Sequence, residues 1–78
     1  MQKYQNISCS YYDQLEALAT TKNDCSIFYN DGTEKIEHGI IIDLFAHEGA
    51  EYLKLNNNTV IRLDHIVSIN GLPAVNIC

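Results

Sequence analysis

The spacing of apolar positions divides the chain into one helical stretch and a longer region of strand period. Tyr11, Leu15 and Leu18 recur at i, i+4 and i+7 with Ala19 beside them, which predicts a helix over residues 11–20 with a single apolar stripe. Asp13, Glu16 and Ala17 point away from that stripe, and Tyr12 lies on the flank between stripe and acids. Ser10 is the expected N-cap, with Asp13 reaching back to it in the manner of a capping box and sitting in the first turn, where the helix dipole favours a negative charge. Thr20, Thr21 and Asn23 are poor helix formers and end the element.

Beyond residue 24 the period changes to two. Cys25, Ile27 and Tyr29 share one face of a first strand, and Asn30-Asp31-Gly32 is a turn whose Asp-Gly pair supplies positive φ angles. A second strand is expected over residues 34–44, with Ile36, His38, Ile40 and Ile42 on a common face and Gly39 marking a bend that lets it serve both halves of a small barrel. A loop over residues 46–50 leads to a third strand, 51–55, with Leu53 and Leu55 inward and Tyr52 and Lys54 outward. Asn56-Asn57-Asn58 is a turn, because Asn tolerates left-handed backbone angles. Residues 60–70, VIRLDHIVSIN, then read as strand, short 3₁₀ turn and strand, the step with which small barrels close. Asn70-Gly71-Leu72-Pro73 reads as a further turn, and residues 74–77 as a short edge strand. The fold class is therefore α+β and mostly β: an N-terminal α-helix followed by a five- or six-stranded antiparallel small barrel of the SH3-like or Sm-like kind, one domain over residues 1–78.

Charge changes the functional picture more than length does. Ten acids against five bases give a net charge of −5, and the Lys and Arg residues are not clustered. A small barrel that binds RNA or DNA needs a basic footprint to recover phosphate contacts, so direct nucleic-acid binding is disfavoured. An acidic domain suits a basic partner, because complementary fields raise the association rate. The apolar runs are too short for a membrane span, and the opening MQKYQNISCS lacks the apolar core of a signal peptide, so the expected location is the cytoplasm. The three cysteines, Cys9, Cys25 and Cys78, are widely spaced and read as reduced small hydrophobes rather than as a metal or redox site. Without a secretory signal, the glycosylation patterns at Asn6 and Asn57 are coincidental.

Catalytic patterns are lacking. His38, His47 and His65 are spread over a strand, a loop and a turn with no metal-ligand spacing, and no serine lies in a nucleophile motif. The four glycines are isolated, which excludes a phosphate-cradling loop. Asp43 and Asp64 follow strand runs and are expected to cap turns through backbone amides. No cofactor and no enzyme activity are expected. The outward acids of the helix read either as a solvated face or, with Tyr12 beside them, as an anchor and a charge-assisted contact for Arg or Lys.

These residues carry a resemblance. ISCSYYDQLEALAT resembles the opening of the Rho-binding antiterminator family (the Rof/YaeO type of bacterial Rho inhibitor), whose I-x-C-x-x-Y-D-x-L-E pattern is matched by Ile7, Cys9, Tyr12, Asp13, Leu15 and Glu16. Asp31-Gly32, Asp43-Leu44, Glu51-Tyr52-Leu53 and Arg62-Leu63-Asp64-His65-Ile66 also look like the family, so the match runs from about Ile7 to Ile69. The resemblance implies an Sm-like barrel with an N-terminal helix that binds the hexameric transcription termination factor Rho and keeps RNA from its primary site. It implies partner contacts at Tyr12, Asp13 and Glu16, and a second contact region at His47, Glu48 and Gly49, where this chain is not basic. The free protein is expected to be a monomer, since a charge of −5 opposes self-association. The alternative reading is an Sm-like RNA-binding module or another small acidic interaction barrel.

Overall fold

The computed structural model describes residues 7–73. The helix, α1, spans Cys9–Thr21 and begins two residues earlier than the pattern predicts. Its N-cap is Ser8, not Ser10: the buried Ser8 Oγ accepts from the Tyr11 N–H at 3.1 Å. Ile7, just before the cap, is buried in the core, which fixes where the chain enters the helix. Asp13 consequently lies beyond the first turn, which holds no acid, and makes no capping box. At the other end Lys22 takes the left-handed conformation at φ 56°, and the Thr21 hydroxyl donates back to Ala17 O at 2.8 Å.

Six strands follow: β1 (Asp24–Asn30), β2 (Glu34–His47), β3 (Ala50–Leu55), β4 (Val60–Arg62), β5 (Ile66–Ile69) and β6 (Leu72–Pro73), with a 3₁₀ turn at Leu63–His65 between β4 and β5. The class predicted from the pattern, one helix and then antiparallel strands, is the class observed. The strand order is β4-β3-β2-β1-β5-β6. Among the described residues the ladder does not close into a barrel: β4 and β6 are its ends, and the 3₁₀ turn leads from β4, paired with β3, to β5, paired with β1.

The long strand β2 organises both halves. Its first half pairs with β1, from Asn30↔Glu34 to Asp24↔Ile40, and its second half pairs with β3, from Ile41↔Leu55 to His47↔Ala50. It runs to His47 rather than stopping at residue 44, and the face shared by Ile36, His38, Ile40 and Ile42 is the outer one: Ile36 and Ile42 are exposed while Ile41 is fully buried. A register shift between Ile41 and Asp43 changes the parity, so that Leu44 packs on the core. Gly39 lies just before β2 passes from β1 to β3, where a Cβ would come within 2.7 Å of Asn56 Oδ1.

The inward rows otherwise follow the period of two. Cys25, Ile27 and Tyr29 of β1 are buried, as are Leu53 and Leu55 of β3, and they meet Ile41, Ile61, Leu63, Ile66, Ile69 and the helix residues Tyr11 and Leu15 in one cluster. Burying each such side chain stabilises the fold by about 1.5–3 kcal/mol before ordering costs are subtracted. Tyr11 also ties α1 to the last strand, its hydroxyl donating to Leu72 O at 3.1 Å.

The turns differ in detail from expectation. The β1–β2 connection has a positive φ only at Gly32, whose N–H donates to Asn30 Oδ1 at 2.9 Å. The β2–β3 connection is no loop but a two-residue hairpin turn, Glu48-Gly49, with φ of 51° and 81°. Asn70-Gly71 makes a second such turn, which leaves Leu72 and Pro73 as a short strand. Asp64 lies within the 3₁₀ turn, where its carboxylate takes Arg62 in two contacts, Nε at 2.8 Å and an amino group at 3.0 Å. Asp43 sits inside β2 opposite Lys54, away from any turn. Cys25 is free and buried, whereas Cys9, exposed at the start of α1 outside the core, is disulfide-bonded; the expectation of reduced thiols fails there. The edge strand expected at 74–77 lies outside the described residues.

Candidate partner-binding surface

The rotation of α1 is set by Tyr11 and Leu15, both buried, with Leu18 and Ala19 packed beside them. That rotation leaves Asp13 and Glu16 exposed and sets Tyr12 at the margin, half-buried against the core. Burial pushes the Tyr12 phenol above its ordinary value, and the negative charges of Glu51 and Glu16 push it the same way. A phenol beside two carboxylates prefers to keep its proton, because ionising would add a third like charge.

Glu51 is thus a site residue that the pattern alone did not single out. It stands second in β3, at the end of the row that carries Leu53 and Leu55. The available signal was an acid in an inward position of a period-two strand, which needs water, a partner or the margin of a sheet.

The other expected contact region is the β2–β3 turn. His47 and Glu48 project into solvent, with Nε2 and Oε1 3.8 Å apart and side chains 68% and 80% exposed, so this contact carries little energy. Glu48 is a non-glycine residue at φ 51°, a conformation for which Asn or Gly is better suited. Ala50 closes this hairpin and Glu51 follows it directly, so Glu51 connects the turn to the acidic flank of α1.

Two of the five bases are already engaged by acids, Lys35 with Asp31 at 3.0 Å and Arg62 with Asp64 at 2.8 Å. Asp13 and Glu16 are exposed on the same helix as Tyr12, and an aromatic ring with carboxylates nearby is able to receive a guanidinium or ammonium group.

The three histidines stay apart. His38 hydrogen-bonds Ser26 on the outer face of β1 and β2, His47 sits at the hairpin, and His65 lies 3.9 Å from Asp64 at the 3₁₀ turn. Among the described residues no three His, Cys, Asp or Glu side chains form a metal-binding group, and no helix is long and apolar enough to cross a membrane.

No protein-family model matches this chain, and no curated protein matches it.

Proposed function

We propose that this chain binds the transcription termination factor Rho and inhibits Rho-dependent termination by covering Rho's primary RNA-binding site. The observation that supports this best is the exposure of Asp13 and Glu16 on α1 with the half-buried Tyr12 just before them in sequence, its phenol raised by burial first and then by the charges of Glu51 and Glu16. A surface that holds RNA is basic, so a competitor for it should present acids and few bases. In this reading Asp13 and Glu16 pair with Lys or Arg of Rho, Tyr12 packs beside them, and Glu51 extends the acidic surface toward His47, Glu48 and Gly49. The protein acts in the bacterial cytoplasm as a monomer until it meets Rho, and neither catalyses a reaction nor takes up nucleic acid itself.

The test is a pull-down of purified Rho, with and without a pyrimidine-rich RNA competitor. Capture that the RNA reverses supports competition at the RNA site. Absence of capture at moderate salt removes the proposal. If Rho is captured, replacing Asp13 and Glu16 by Lys is expected to abolish capture while the far-UV spectrum stays native; undiminished affinity would move the interface away from α1.

A further inference from the structure

A second polar site lies away from the acidic flank of α1, where four segments distant in sequence meet. A cavity of about 440 Å³ is lined by Asp24, Ser26 and His38 on the outer face of β1 and β2, by the bend at Gly39, and by Asn56 and Asn70 from two separate turns. Each polar side chain except Asp24 is held through one end. Asn56 Oδ1 accepts from the Ile40 N–H at 3.2 Å, and Asn70 Oδ1 accepts from the Ser26 N–H at 2.9 Å. Both backbones are pinned as well, the Asn56 N–H donating to Ile40 O and the Asn70 N–H to Ser26 O, each at 2.9 Å. Ser26 Oγ and His38 Nδ1 are hydrogen-bonded at 2.8 Å.

The other ends are unused. With its oxygen committed, each Asn leaves its Nδ2 group as the remaining donor, and neither has a partner among the described residues. His38 keeps Nε2 in the same state. Asp24 is exposed at the head of β1 and makes no ion pair among the described residues. Gly39 is what lets Asn56 in, since a Cβ there would collide with Asn56 Oδ1 at 2.7 Å. The cavity thus combines pre-oriented neutral donors with one carboxylate.

From this geometry we infer that the cavity binds a small zwitterion of the α-amino-acid class. The ligand carboxylate is received by the Asn56 and Asn70 amides with the Ser26–His38 pair, and its ammonium by Asp24. A simple anion is opposed by Asp24, and a simple cation leaves the amide donors without an acceptor. A zwitterion satisfies both. The amides are held before binding, which lowers the ordering cost. The site is separate from Tyr12, Asp13 and Glu16, so its occupancy can be measured whether or not the chain binds Rho.

The experiment titrates the ¹⁵N-labelled full chain with each standard free amino acid to millimolar concentration, following the side-chain amide resonances of Asn56 and Asn70. The expected result is saturable shifts at these amides and at Ser26, His38 and Gly39 for at least one amino acid. Amidating that ligand's carboxylate or acetylating its amine is expected to weaken binding by about tenfold or more, because each leaves polar groups of the site unmatched. Asp24→Asn, at an exposed position with no internal ion pair, is expected to weaken the parent ligand while leaving the spectrum dispersed. Absence of saturable shifts for every amino acid overturns the inference, as does equal binding of both capped analogues or an unchanged affinity in Asp24→Asn.

Discussion

Single side chains here hold the fold by contacts that can be tested one at a time. Gly39 has an ordinary backbone, so alanine is not barred by φ; what bars it is Asn56 Oδ1, 2.7 Å from the new Cβ. Gly39→Ala must displace that amide and break its bond to the Ile40 N–H. The expected loss is about 0.5–1.5 kcal/mol, because this exposed bond can be replaced by water, read from urea unfolding, with the Asn56 side-chain resonances shifted. Tyr11 gives a pH signature. Burial pushes its phenol up to about 12 from an ordinary 10.0, against a smaller opposing backbone contact at Ile69. The folded state therefore holds the proton more tightly than the unfolded state. Its contribution is fully present below the unfolded value and is lost as pH rises through the folded one. Stability is expected to fall between pH 10.0 and about 12, and Tyr11→Phe to flatten that fall. A slope unchanged by the substitution would assign the loss to other groups, Tyr12 among them.

At the scale of elements, the period of the apolar positions was sufficient for the helix stripe, for the buried rows of β1 and β3, and for the strand–turn–strand step around Asp64. It misled where a local event resets the count. The register shift between Ile41 and Asp43 moves the inward position of β2 from Ile41 to Leu44, and a bulge leaves no mark in a run of isoleucines. The helix start was misplaced because Ser8 and Ser10 are equally good caps by type; the choice was made by the burial of Ile7 and Ser8, a tertiary fact. In the same way Tyr12, Asp13 and Glu16 could be read as one flank of a helix, whereas the influence of Glu51 on Tyr12 emerges only from the fold. The cap is a direct check. Ser8→Ala is expected to cost about 1 kcal/mol of stability, and Ser10→Ala far less. Equal effects in urea unfolding would mean that the two hydroxyls share the role.

At the scale of the whole molecule, the question is whether partner binding follows net charge or local placement. A charge of −5 steers any basic partner toward the domain, and that effect fades with salt over a Debye length of about 8 Å at physiological ionic strength. If steering were the whole of it, neutralising any one acid would slow association equally. Glu51 and Glu34 separate the two cases. Glu51 follows the β2–β3 hairpin and its charge acts on Tyr12, while Glu34 begins β2 at the end opposite His47. Each Glu→Gln change removes one negative charge and keeps the shape of the side chain. The local reading expects Glu51→Gln to raise the dissociation rate from Rho severalfold with the difference persisting at high salt, and Glu34→Gln to alter only the association rate at low salt. Surface plasmon resonance on immobilised Rho across a salt series distinguishes them. Matching rate changes in the two variants would leave net charge as the determinant, and the flank around Tyr12 would then be no more than part of an acidic surface.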